Sequence, residues 1–232
     1  MAKTFTKIGK EITIAVKQGG PDVVGNSRLR ALMAEARSEN MPKDNVEKAI
    51  KRALEKNQGD FKEVVFEGYG PHGIAYLVET ATDNNTRTVA NVRSYFTKCG
   101  GSLGTSGSVS FMFDHKCVFR IKYQEGMDLD ELLLALCECD DDPEVFIEEQ
   151  EDKDENITKN VVIYGAYESY GAIQKYIEDN GYELVSGGFE RIPNVELKDV
   201  TPEQRETLDK LTGLLEDDDD VTNVYSTLKP AE

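Results

Sequence analysis

Several things are scarce or missing in this chain of 232 residues. There is no tryptophan, and there are two histidines and four cysteines. No run of about 18 apolar residues occurs, which excludes a helix that spans a membrane. No charged-then-apolar leader opens the sequence, so a cytoplasmic location is expected. The cysteines, Cys99, Cys117, Cys137 and Cys139, form no disulfide or zinc framework and read as reduced thiols. His72 and His115 have no ligand spacing around them. Gly-x-Ser-x-Gly, Gly-Lys-Ser/Thr and EF-hand patterns are all absent. No catalytic residue, metal ligand or cofactor is therefore assigned, and a non-enzymatic protein is expected.

Positive charge is scarce in one half only. The net charge is −17. Residues 1–60 carry a balance of +4, residues 61–126 of +1, and residues 127–232 of −22. A polyanion can approach only the first half.

Apolar spacing divides the chain. Phe5, Ile8, Ile12 and Val16 recur at helical intervals, and Gly19, Gly20 and Pro21 stop that helix. A second helix is expected from Asn26 to Ser38. Pro42 suits the first turn of a third, whose stripe is Val46, Ile50, Ala53 and Leu54. Gln58 and Gly59 release the chain. From Phe61 the period changes. Val64–Phe66 and Ile74–Thr80 read as strands about the Gly68–Gly73 turn, and Asp83–Asn85 cap a helix over 86–98. A strand over Val109–Phe113 follows. Residues 117–186 alternate β-α-β-β-α-β, with helices over Leu129–Cys139 and Tyr167–Asn180 and an acidic turn through Glu155. Phe189–Ile192, a helix opened by Thr201, Pro202 and Gln204, and Val221–Tyr225 complete a second such set. The fold expected is α+β in three domains. Residues 1–60 form a three-helix unit, 61–115 with 188–232 a ferredoxin-like unit, and 116–187 a second ferredoxin-like unit inserted in the first.

Candidate binding residues follow from the charge. Lys3, Lys7 and Lys10 share one face of the first helix, and Arg28, Arg30, Arg37, Lys43, Lys51 and Arg52 extend the basic set. Arg87, Arg93 and Lys98 form a second patch on the middle helix. Such side chains contact phosphates without reading sequence. Interspersed Glu11, Glu35, Glu39 and Glu47 leave open an ordinary solvated face. No helix-turn-helix, zinc-finger or RNA-recognition signature supplies a reading head. The glycines of 68–73 and 100–107 fit hairpin turns better than a phosphate cradle. Cys137 and Cys139, two residues apart on a helix, point about 200° apart and read as packing residues. The run Glu216–Asp220 falls at a helix C-terminus, where the dipole disfavours negative charge. A solvated charged turn is the leading reading of it.

The segments RLRALMAEARSENMPKDNVEKAIKRA, EGYGPHG, DNNTRTVANVRSYFTKCGGSLGTSGSVSFMF and LLEDDDDVTNVYS, in this order, resemble the YebC/PmpR family over nearly the whole chain. The resemblance implies three domains, the upper two ferredoxin-like, and a role in gene expression. Family members are commonly described as DNA-binding transcriptional regulators; a mitochondrial relative is a translational activator, and bacterial relatives have been connected with stalled ribosomes. Relatives usually carry a basic arm ahead of FTK, whereas this sequence opens MAKTFTK, and Cys99 stands where relatives often have His. The expected partner is nucleic acid, either DNA or rRNA on the ribosome, with no membrane. The function expected first is a DNA-binding transcriptional regulator. The alternatives are a ribosome-associated translation factor and a protein-interaction module without nucleic-acid affinity.

Overall fold

A computed structural model describes residues 2–55, 60–151 and 157–231. The expected break at Gln58–Gly59 and the end of the acidic turn at Glu155 lie outside the described residues. In chain order the elements are α1 (Ala2–Gly19), α2 (Ser27–Ser38), α3 (Lys43–Leu54), β1 (Lys62–Tyr69), β2 (Ala75–Thr82), α4 (Asn85–Lys98) and β3 (Ser102–Leu103). There follow β4 (Phe113–Lys122), α5 (Leu129–Leu136), β5 (Glu144–Glu151), β6 (Ile157–Ala166), α6 (Tyr170–Asp179), β7 (Leu184–Pro193), α7 (Pro202–Glu216) and β8 (Val221–Ser226). The chain parts into two compact units. One comprises residues 1–14, 55–114 and 191–232; the other comprises 15–54 and 115–190.

The first unit is built on a four-stranded sheet in the order β3-β1-β2-β8, in which β1 pairs antiparallel with β2 and β3, and β2 with β8. β2 is central and is buried on both faces, as its continuous apolar run requires. Tyr76 and Val78 face a core with Phe96 and Val92 of α4 and Leu208, Leu211 and Leu215 of α7. Ala75 and Leu77, on the alternate face, meet Val109 and Phe113. α7 opens with the capping box read from sequence. The Thr201 hydroxyl accepts from the Gln204 N–H, and the Gln204 side chain accepts from the Thr201 N–H.

Two strand expectations for this sheet are corrected. Val109–Phe113 is not a strand: Ser110–Met112 makes one 3₁₀ turn, and Phe113 begins β4. The N–H groups of Val109 and Ser110 go to the Glu67 carboxylate instead of a ladder. Phe189–Ile192 belongs to β7 of the other sheet. The place beside β2 is filled by β1, so the split β-α-β of β2, α4 and β3 encloses a strand that precedes it in the chain.

The second sheet has the order β5-β6-β4-β7. With α5 and α6 this is the ferredoxin-like arrangement expected for 116–187, lying between two stretches of the first unit's chain. Phe119, Ile121, Val161 and Ile163 pack against Leu132, Leu136, Ile173 and Ile177. The alternate face carries a polar ladder. Arg120 bridges Glu148 and Glu190, Lys116 pairs with Glu144, and the Tyr164 hydroxyl donates to Glu190.

In the same unit, α2 is capped by Asn26. Its side-chain oxygen accepts from the Leu29 N–H, and its amide donates to the carbonyls of Ala15 and Gly20. α2 lies along α6: Arg30 grips Glu178 at 2.7 and 3.2 Å, and the Gln174 amide donates to the Ser27 carbonyl. α5 ends at Leu136, short of the expected Cys139. The buried Asp140 carboxylate accepts from the N–H groups of Asp142 and Ala166 and turns the chain there. Cys137 is consequently exposed, not packed, while Cys139 is partly covered by the core.

The turn after α4 puts two adjacent glycines under different constraints. Gly100 needs a positive φ of 76° but has open space around its α-carbon. A Cβ on Gly101 would lie 2.5 Å from the Tyr69 carbonyl oxygen. Gly100→Ala should cost about 1 kcal/mol, as expected for a residue forced left-handed. Gly101→Ala should cost about 3 kcal/mol because backbone must move. Urea denaturation of the two variants checks the order.

Candidate nucleic-acid interface

The basic residues separate into those held by carboxylates of their own unit and those left facing solvent. α1 presents Lys3, Lys7 and Lys10 at helical spacing, as expected, but in the first unit their partners are the acidic run after α7. Lys3 Nζ meets Asp217 at 2.5 Å. Lys7 Nζ donates to the Glu216 carbonyl at 3.2 Å, and Lys10 Nζ to the Asp219 carbonyl at 2.7 Å and to Asp220 Oδ1 at 2.8 Å. Lys7 thus meets the last carbonyl of α7, and Lys10 a carbonyl just beyond it, where the helix dipole favours cations. Burial lowers the pKa of Lys7, opposed by nearby Glu216.

Asp220 is the centre of this cluster and is 4% exposed. Its Oδ2 accepts from Arg87 Nη2 at 2.6 Å, from Thr88 Oγ1 at 2.9 Å and from Thr82 Oγ1 at 3.3 Å. Burial alone would raise its pKa. The bonds from Lys10, Arg87 and Thr88 outweigh that and hold the carboxyl below the ordinary range. Asp218, also buried, accepts from Asn91 Nδ2 at 3.1 Å and from the Tyr95 hydroxyl at 2.9 Å. Burial and then this carboxylate push the Tyr95 phenol up to about 12. The run is thus a partly buried hub, and the solvated turn expected from sequence is corrected. The patch expected on α4 is divided. Arg87 and Asn91 are bonded to the hub, whereas Arg93 and Lys98 are exposed, Lys98 lying 5.9 Å from the Tyr95 ring centroid.

In the second unit, Arg30 is held by Glu178 and by the Val23 and Val24 carbonyls. Arg28 donates to Gln18, and Arg37 to the Met33 carbonyl of its own helix. Arg52 is partly covered. Lys43 and Lys51 are exposed on α3, together with Lys48, which was not among the candidates.

The glycine-rich loop is organised by Glu67, another residue not singled out from sequence. Glu67 is 5% exposed and accepts from the N–H groups of Gly107, Val109 and Ser110, each at 2.8 Å. Burial would raise its pKa, but these three donors outweigh it and hold the carboxyl low. Those amides already hold an anion of the protein itself. Among the described residues, no group of three or more His, Cys, Asp or Glu is arranged to hold a metal ion. Nor is any described helix long and apolar enough to cross a membrane.

Comparison with known proteins places the chain. Residues 1–56 match the family model described as the TACO1/YebC protein N-terminal domain, and residues 61–228 match the TACO1/YebC second and third domain. The chain belongs to the TACO1/YebC family. It is 58% identical to a Parabacteroides distasonis protein, over 99% of this chain and 90% of the relative. A Bacteroides thetaiotaomicron protein is 56% identical over 100% and 91%. Both carry the name probable transcriptional regulatory protein. Among solved structures, a conserved hypothetical protein from Aquifex aeolicus matches with a TM-score of 0.80 at 33% identity, over 100% of this chain and 91% of that one.

Two outcomes test the hub and the loop. Asp220→Ala strands Lys10 beside a cavity and should cost about 3 kcal/mol, the usual penalty for breaking a buried pair, whereas Lys43→Ala should leave the melting temperature unchanged. Glu67→Gln should cost about 2 kcal/mol at neutral pH through lost charged hydrogen bonds. Because the folded pKa of Glu67 is depressed, its contribution is complete above the ordinary glutamate range. It is lost as pH falls through the folded value. The gap between parent and Glu67→Gln should therefore be widest above about pH 5 and close in acid. Thermal melts across pH check this.

Proposed function

We propose that this protein is a non-enzymatic, cytoplasmic regulator of gene expression that binds nucleic acid, and that its first role is as a DNA-binding transcriptional regulator. The observation that carries the proposal is full-length similarity to proteins named probable transcriptional regulatory protein. The exposure of Lys43, Lys48 and Lys51 on α3, and of Arg93 and Lys98 on α4, supports it. These cations can neutralise phosphates without first leaving a carboxylate. Lys3, Lys10, Arg30 and Arg87 have acidic partners within their own units and serve the fold first. The division into 1–60, 61–115 with 188–232, and 116–187 is kept as part of the proposal. The wording of the two family descriptions, an N-terminal domain and a second and third domain, supports it.

A second reading is a translation factor that contacts rRNA on the ribosome. The exposed cations support it equally. The α3 lysines are flexible point charges suited to phosphate, which RNA presents as readily as DNA.

The test is fluorescence anisotropy with duplex DNA and with a structured rRNA fragment over a range of salt. Lys43→Glu with Lys51→Glu should weaken binding and flatten the salt dependence of log K by roughly two contacts, about 0.9 each on B-DNA. DNA bound more tightly than rRNA supports transcription, and the reverse supports translation. Unchanged affinity and slope in the double variant would sink the assignment of α3.

A further inference from the structure

Among the described residues, no strand pairs with one side of a long strand of the second sheet. β5 stands at the end of the order β5-β6-β4-β7. It pairs with β6 from Glu144↔Tyr164 to Glu151↔Ile157 without a register shift, and no described strand lies on its other side. Such an edge offers a row of N–H and C=O groups to another extended chain. A bulge, an internal proline and a lysine are missing within its eight residues, and the charges that keep the edge from pairing indiscriminately are all glutamates.

The side chains of β5 alternate between faces. Val145 packs on the helix-side core, which places Ile147 and Glu149 on that face and Glu144, Phe146 and Glu148 on the other. Phe146 is 41% exposed and Ile147 is 39% exposed. Each face of the edge therefore shows solvent one large apolar side chain. Around them the charge has one sign: residues 138–151 contain eight acidic side chains and no basic one. Glu144, Glu148 and Glu149 have partners in Lys116, Arg120 and Lys159, and the segment stays negative beyond those pairs.

We infer that β5 is a docking edge for an extended, Lys/Arg-rich protein segment, which adds beside it as a further strand. Main-chain hydrogen bonds supply the affinity in this mode, and alternate side chains supply the selection. Apolar residues of the segment lie beside Phe146 and Ile147, and its cations lie beside the glutamates. A second copy of this chain is a poor occupant, because β5 against β5 sets glutamate rows against each other, and like charges across strands destabilise. A nucleic acid is repelled by the same charge. The inference does not depend on the nucleic-acid reading above, which rests on α3 and α4.

The experiment uses the full chain and two labelled synthetic peptides of equal length. One alternates lysine with valine; in the other, every lysine is glutamate. Anisotropy should show the lysine peptide binding and the glutamate peptide not. Amide hydrogen exchange should slow across β5 on binding. Replacing both Phe146 and Ile147 by serine should weaken binding by about tenfold or more, the effect of losing two ordinary interface contacts. Circular dichroism confirms that this variant is folded; were it not, the exchange map of the parent protein decides alone. The inference fails if neither peptide binds, if both bind alike, or if protection falls elsewhere. It fails too if folded protein with both serines binds like the parent. Protection of β5 by duplex DNA or RNA, or self-association through β5 in sedimentation, would also overturn it.

Discussion

One buried carboxylate sets the terms for the first unit. Asp220 lies between α7 and β8, and its side chain collects the ammonium of α1, the guanidinium and a hydroxyl of α4, and the hydroxyl that ends β2. Its own N–H goes to Asp218, and its carbonyl accepts from Ala81. A carboxylate with 4% exposure is tolerable only with such partners, since an unpaired one would neutralise instead. Three stretches far apart in sequence, at Lys10, at Thr82–Thr88 and at Asp220, are thus required to meet at one point. The negative charge at the end of α7, unfavourable to that helix in isolation, is offset by the lysines that α1 brings to Asp217, Glu216 and Asp220.

The same logic governs the glycine-rich loop. A loop with several glycines and serines has more backbone N–H groups than a hairpin ladder can use. Glu67 takes three of them from the middle of β1, so the loop is organised around an internal anion. In both places a carboxylate of the chain occupies donors that, read from sequence alone, were open to phosphate. Charge counting therefore overstates the basic surface. Lys43, Lys48 and Lys51 on α3 and Arg93 and Lys98 on α4 are exposed and stand outside these carboxylate networks.

The second unit makes a different use of charge. Across the polar face of its sheet, Arg120 is held between Glu148 and Glu190, and the Tyr164 hydroxyl donates to Glu190. Burial and Glu190 raise the Tyr164 phenol far above its ordinary pKa, so the hydroxyl stays a donor. Burial, and then Asp140, hold the Cys117 thiol up at about 11, which makes it a packing group.

Periodicity and capping chemistry determined much of this protein locally. The stripe of Ile8, Ile12 and Val16, the Asn26 cap, the Thr201–Gln204 box and the β-α-β-β-α-β order of 116–187 follow from residue types at fixed spacings. Each depends on neighbours within one or two turns of chain. Membership of the family was legible too, from the order of several segments along the whole chain. Tertiary structure decided what local spacing cannot carry. It placed β1, not Phe189–Ile192, beside β2, because strand order depends on partners distant in sequence. It turned Val109–Ser110 away from a ladder, because a glutamate forty residues earlier claimed their N–H groups. It gave Lys3, Lys10 and Arg87 to Asp217 and Asp220, because side chains more than a hundred residues apart pair only once the chain has folded.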